Sequence, residues 1–281
     1  MVGNMSKVVQ RLLVFFIGLP LVVCLVWFNQ FHHIAFHALA FAASLLGACE
    51  MYHLLFQRFP LQSRPLVIIS AVTPVFTAAL CAFFEANLSF VDYAFIFVVM
   101  LCMAFEVLSA QSFEDSAAHL ITSAFIILYA GYLPSFVSRM TVHARSREFI
   151  AVFFIMVCMC DSIAWLFGNL FGKGNKGLIK ASPNKSAAGF VGGFAGTMLT
   201  GFLAWKFLPD VFTGPLAKIL VLSFFIALVA IIGDLVESVI KRSVGIKDSG
   251  SIIPGRGGVL DSIDSIVFVA PVYYFGINFL F

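Results

Sequence analysis

Charge is what this sequence has least of. Only 11% of its 281 residues are Asp, Glu, Lys or Arg, and mean hydropathy is +1.03, which excludes an ordinary soluble globular domain. The short alternation of apolar and polar residues that marks membrane β-strands is also missing, so a transmembrane barrel is excluded. The six cysteines, Cys24, Cys49, Cys81, Cys102, Cys158 and Cys160, form no Cys-x-x-Cys pair and stand near no histidine cluster. They read as small apolar residues rather than a zinc site or disulfide framework. His32, His33, His37, His53, His119 and His143 show no metal-ligand spacing and read as surface or packing residues. A net charge of +3, scattered along the chain, gives no nucleic-acid-binding patch. Low-complexity tracts, long linkers and internal repeats are absent too, which leaves no separate soluble domain.

What fills the chain instead is a series of apolar runs, each long enough as a helix to cross a hydrocarbon core of about 30 Å. The expectation is an all-α polytopic membrane protein with about nine transmembrane helices. They fall near residues 12–28, 34–55, 66–84, 91–108, 118–137, 149–168, 188–208, 216–236 and 264–281. Lys7 and Arg11 precede the first run as in a signal peptide, but no small-x-small cleavage site follows, so the run is read as a membrane helix. Placing the N-terminus in the cytoplasm puts most Lys and Arg on that side. One loop disagrees, since Arg139, Arg145 and Arg147 would face outward. The loops 169–187 and 237–263 share the cytoplasmic side, because two spans separate them.

Polar residues inside such a chain need reasons. Asp161 lies within the sixth run, where an ionised group costs about 2.5–3.5 kcal/mol near the bilayer centre, and so should face a polar cavity. Glu50 and Glu106 interrupt apolar runs near span ends, where an interfacial role and a site role both fit. Ser182, Lys185 and Ser186 stand at the membrane entry of the seventh run, where helix-terminal amides and a lysine can hold phosphate oxygens.

The densest polar stretch is Gly233 to Asp264. Five of the fourteen acidic residues fall here, Asp234, Glu237, Asp248, Asp261 and Asp264, interleaved with Lys241, Arg242, Lys247 and Arg256. Asp234, Glu237 and Lys241 are spaced i, i+3, i+7 on one helix face, and Asp261 and Asp264 are i, i+3. Neighbouring carboxylates repel unless cations intervene, and oxygen ligands favour magnesium, with substrate phosphates completing the shell. Mutual neutralisation by the four basic residues is the competing reading.

At these residues the sequence resembles the phosphatidate cytidylyltransferases, also called CDP-diacylglycerol synthases. Ser238-x-Ile240-Lys241-Arg242, Lys247-Asp248-x-Gly250, Pro254-Gly255, Gly257-Gly258-Val259-x-Asp261 and Asp264 follow the family signature in order and spacing. Upstream, Asp161-x-x-Ala164-Trp165 with a following Phe-Gly, and Ser182-Pro183-x-Lys185 with Gly189-Phe190, resemble further family elements. The sequence departs from the family at four positions: Arg256 replaces the signature histidine, Ser262 an arginine, Asn184 a second lysine and Ala188 a glutamate. Arginine, with a pKa above about 12, cannot shuttle a proton.

The resemblance implies a metal-dependent nucleotidyltransferase that converts CTP and phosphatidate to CDP-diacylglycerol and pyrophosphate for phospholipid synthesis. Residues 1–150 would be N-terminal transmembrane helices and 151–281 the catalytic transmembrane region. Asp234, Asp261, Asp264, Asp248, Lys241 and Arg256 would be catalytic, with Asp234, Asp261 and Asp264 as Mg2+ ligands and a second cation also accommodated. Ser182, Lys185, Ser186, Arg242, Lys247, Asp161, Gly257 and Gly258 would bind substrate. The implied partners are CTP, phosphatidate, membrane lipids and a second copy in a homodimer, in a bacterial inner membrane with the active site facing the cytoplasm. A CTP-dependent polyprenol or dolichol kinase and an ion or solute transporter are the alternatives.

Overall fold

A computed structural model describes residues 14–28, 30–253, 255 and 257–281. Lys7, Arg11 and the candidate Arg256 lie outside the described residues. Hydrocarbon offers backbone N–H and C=O groups no partners, so the apolar runs satisfy them internally as helices. A π-helical turn, Val14–Gly18, leads into α1, Leu19–Trp27. It is followed by α2 (Gln30–Phe56), α3 (Arg64–Phe83), α4 (Ser89–Ser109) and α5 (Ser116–Ile126). A π segment, Ile127–Tyr132, joins α5 to α6 (Leu133–Arg139). Then come α7 (Ser146–Phe171), α8 (Ala187–Phe207), α9 (Leu216–Ser243) and α10 (Leu260–Leu280). Among the described residues, extended pairing is confined to two isolated bridges, Lys176 with Ser186 and Ile253 with Gly257.

Among the described residues, eight helices are long and apolar enough to cross a membrane, with Ser116–Val142 counting as one. The described part of the first of the nine expected spans is the apolar helix Phe16–Trp27. Large apolar side chains such as Ile69, Phe97, Val191 and Phe275 are exposed, as suits an outer surface whose solvent is hydrocarbon. This is an integral membrane protein. The π segment ends where Pro134 enters the helix: proline lacks an N–H and its ring crowds the preceding turn, so the winding widens there.

The chain forms two compact units. The first gathers the residues up to Trp27, His143–Ser243 and Asp264–Phe281; the second gathers Phe28–Val142 and Val244–Ile263. In the first unit, α8 presents Gly189, Gly192, Gly193 and Gly196 to Cys160, Ile163, Ala164 and Phe167 of α7, so the two helix backbones approach closely. Tyr273, fully buried on α10, donates its hydroxyl to the carbonyl of Phe149 at 2.9 Å.

Buried polar groups hold the second unit. Ser44 donates to the Ala130 carbonyl at 2.6 Å, and Gln62 Nε2 donates to the Cys102 carbonyl (2.9 Å) and to Glu106 (2.8 Å), whose other oxygen meets His119 Nδ1 at 2.9 Å. Glu106 thus serves packing between helices. Arg139, expected as an outward loop cation, is buried: its Nη2 lies 2.6 Å from Asp92 Oδ1 and its guanidinium 4.2 Å from the Phe136 ring centre. An internally neutralised arginine carries no topological signal, so the discordant loop is weaker than its sequence suggests.

A Cβ added at Gly192 would come within 2.7 Å of Phe167 Cβ and 2.8 Å of the Ile163 carbonyl oxygen. Gly192→Leu is therefore expected to destabilise the protein by about 1–3 kcal/mol, read as a lowered melting temperature in detergent. His143, between two spans, packs on the rings of Phe149 and Tyr274 with Nε2 buried and without a hydrogen-bond partner. Burial lowers its pKa below the usual 6.5, so folding favours the neutral ring. Its contribution is complete above about pH 6.5 and is lost as pH falls towards the lowered folded value, because the unfolded chain then binds more protons. Melting in detergent between pH 7.5 and 5.5 should show this loss, and His143→Phe should reduce it.

Candidate active site

The polar residues of the first unit gather where α8 begins and α9 ends. Ser186 is the N-cap of α8, with extended backbone and a hydroxyl that accepts the Gly189 N–H at 3.1 Å. The loop before it is held by the Lys176–Ser186 bridge, by Ala187 N–H donating to the Asn175 carbonyl (3.1 Å), and by a turn in which Lys185 N–H donates to Ser182 (3.1 Å). From this turn Lys185 reaches across to α9, its Nζ 2.5 Å from Asp234 Oδ2. Arg242 Nε, further along α9, donates to the Ala181 carbonyl at 3.4 Å, tying the same loop down a second time.

One helical turn beyond Asp234, Glu237 forms an ion pair with Lys241. The expected face of α9 is real, but its members have different partners. The Glu237 side chain is 1% exposed and that of Lys241 11%, whereas Lys185 and Asp234 are 24% and 34% exposed. Breaking a buried pair by removing one partner costs about 3–5 kcal/mol; a half-open pair is worth about 0–1 kcal/mol after solvent screening. Of these two pairs, Lys185–Asp234 is the one open to solvent.

Asp264 is buried on α10, where its Oδ1 accepts the Ser265 N–H at 2.6 Å. It feels the charges of Asp234, Asp161 and Glu237. Ser265 donates to the Ala230 carbonyl at 3.2 Å, and at Gly233 a Cβ would lie 2.9 Å from the Asp264 carbonyl oxygen, so α9 and α10 run close at this level. Asp161 is half-buried on α7.

In the second unit, the loop between α9 and α10 is built around two carboxylates. Asp261 Oδ2 accepts from Ser249 N–H (2.8 Å), Ser249 Oγ–H (2.9 Å) and Gly258 N–H (2.8 Å). The second carboxylate belongs to Glu50 of α2. It accepts from Ser249 Oγ (3.0 Å), Val259 N–H (2.9 Å) and Leu260 N–H (2.8 Å), taking up donors that the first turn of α10 cannot satisfy itself. Ile253 and Gly257 exchange backbone hydrogen bonds of 2.8 and 3.0 Å across the neck of the loop.

Gly257 adopts φ +113°, and a Cβ there would meet Asp261 Oδ2 at 2.5 Å. At Gly258 and Gly250 a Cβ would strike the Glu50 carboxyl group. The expected substrate-contact glycines therefore have a physical reason inside the protein: they let backbone amides close on two acids. Lys247 and Asp248 are exposed on the same loop.

Glu50 is the site residue that spacing did not reveal, since about 200 residues separate it from the loop it organises. A signal was nevertheless present. Five glycines between Ser243 and Leu260 mark a backbone that makes room for other groups, and an acid within an apolar helix is a candidate for one of them.

All these donors to a cation would be carboxylate oxygens, the ligand type of magnesium. Among the described residues, no three His, Cys, Asp or Glu are grouped so that they could hold a metal ion by themselves.

The chain matches the model of the cytidylyltransferase family over residues 9–280. It is 33% identical over 174 residues to the phosphatidate cytidylyltransferase of Staphylococcus saprophyticus, covering 62% of this chain and 66% of that one. A Staphylococcus aureus protein of the same name is 34% identical over the same shares, and one from Bacillus subtilis is 35% identical over 198 residues, 69% of this chain and 71% of that one. The matched stretch spans just under two thirds of the staphylococcal relatives. With a match running from residue 9 to residue 280, the chain belongs to the cytidylyltransferase family.

Proposed function

We propose that this protein transfers the cytidylyl group of CTP to phosphatidate, releasing pyrophosphate and forming CDP-diacylglycerol in the membrane. The observation that carries the reading is the half-open Lys185–Asp234 pair beside the N-cap of α8, in a chain of the cytidylyltransferase family. The lipid follows from the relatives, which are phosphatidate cytidylyltransferases by name.

A phosphate oxygen of the lipid attacks the α-phosphorus of CTP, and the bond from that phosphorus to the pyrophosphate oxygen breaks. A phosphate monoester, with its second pKa near 6, is already largely dianionic at neutral pH, so the attack needs no dedicated base. The position of the family's histidine, here Arg256, is thereby freed to hold phosphate instead of moving a proton. Lys185 exchanges Asp234 for phosphate oxygens, Ser182 offers a hydroxyl beside it, and Ser186, buried as the N-cap, holds the start of α8 in place for the anion. Lys241 stays with Glu237 and keeps that face of α9 in place; exposed Arg242 and Lys247 attract the anionic substrates.

Asp234, Asp261 and Asp264 would be the Mg2+ ligands. Bound there, the ion would neutralise charge on the triphosphate and on the departing pyrophosphate. Asp161 lends its charge to the Asp264 environment. CTP is a cytoplasmic metabolite, so we place the site on the cytoplasmic face of a bacterial inner membrane.

Purified protein in detergent micelles, given CTP, phosphatidate and Mg2+, should release pyrophosphate and form CDP-lipid. Formation of CDP together with a phosphorylated lipid alcohol, when a polyprenol replaces phosphatidate, would overturn the reading in favour of a kinase. Asp234→Asn should lower turnover by about 10²-fold or more, because a charge aligned with the reacting phosphates is removed, while the protein still inserts and purifies as before. Substantial activity in that variant would remove Asp234 from the ligand set.

A further inference from the structure

We infer that Glu50 is a positioning residue for the reaction: it holds the backbone at Val259 and Leu260 and, through Ser249, the carboxylate of Asp261. The inference rests on the nucleotidyl-transfer reading.

Two carboxylates close to one hydroxyl repel each other, and the loop supplies the compensation. Glu50 takes the N–H groups of Val259 and Leu260, Asp261 takes those of Ser249 and Gly258, and the Ser249 hydroxyl lies 3.0 Å from Glu50 Oε2 and 2.9 Å from Asp261 Oδ2. A hydroxyl has one proton, so the two acids share it, and moving either one changes what the other receives. Glu50 is 8% exposed, which makes its contacts costly to lose. Gly250 and Gly258 leave the space that its carboxyl group occupies, and any side chain there would collide with it. The glycines shared with the family signature and an acid from α2 therefore form one structural device. Its product is the orientation of Asp261 at the start of α10.

A residue that merely stabilised α10 would affect melting temperature and leave turnover per folded molecule alone. A positioning residue affects kcat. Glu50→Gln keeps the size of the side chain but turns one acceptor into a donor facing N–H groups. Two measurements on detergent-purified full-length protein test the role: steady-state kinetics with CTP and phosphatidate, and hydrogen–deuterium exchange of peptides covering 249–260. We expect Glu50→Gln to lower kcat about tenfold or more, with KM for CTP changed less than about threefold, and to speed exchange in 249–260 while α6 exchanges as before.

Ser249→Ala should give a smaller fall in kcat and the same local rise in exchange. The double variant should be no worse than Glu50→Gln alone, since both changes break one network. Wild-type kcat with unchanged exchange in Glu50→Gln, or single effects that multiply in the double variant, would overturn the inference. If Glu50→Gln does not insert, Ser249→Ala decides by the same two measurements. A wild-type protein with no CTP turnover would defeat the functional reading, whereas the exchange data would still report whether Glu50 holds the loop.

Discussion

A solvent that offers no hydrogen bonds is the constraint on which the rest of this structure depends. In hydrocarbon each backbone N–H and each charge must find its partner within the protein. The apolar runs answer this as helices. Charges inside the membrane-spanning region answer it in pairs: Arg139 with Asp92 against the Phe136 ring, Glu106 with Gln62 and His119, and Glu237 with Lys241. Where α10 begins, its first amides are not left to water but are taken by Glu50.

The same constraint separates scaffold from chemistry. Deeply buried pairs are costly to open, so they fix geometry; a pair with a third of a side chain exposed opens for an anion at little cost. Lys185 and Asp234 are in the second condition, beside a capped helix start that presents amides. This difference in burial, rather than charge count, is what points to phosphate chemistry there.

Much of this was legible in the residues alone. Continuous apolar runs announced helices and their approximate ends, because burial in lipid leaves no other way to satisfy the backbone. The Gly233 to Asp264 stretch announced a site, because charge is too costly in such a chain to be retained idly. The i, i+3, i+7 spacing correctly placed Asp234, Glu237 and Lys241 on one continuing helix, α9. It could not say that Lys241 belongs to Glu237 while Asp234 belongs to Lys185. Pairing depends on which loop folds back, and that is set by contacts across about 50 residues. Arg139 was misread for a related reason: its neutralising partner, Asp92, lies on another helix.

The sequence by itself determined the solvent, the helical class, the family and the stretches where chemistry is concentrated, since each is a local property of composition, periodicity or motif. The tertiary structure alone decided the partners. It assigned Gly250 and Gly258 of the late loop to a space filled by Glu50, and it linked that acid to Asp261 through one serine hydroxyl. Hydrogen bonds act over about 3 Å in space whatever the separation along the chain, so a motif reader sees the glycines and only the fold shows what they make room for.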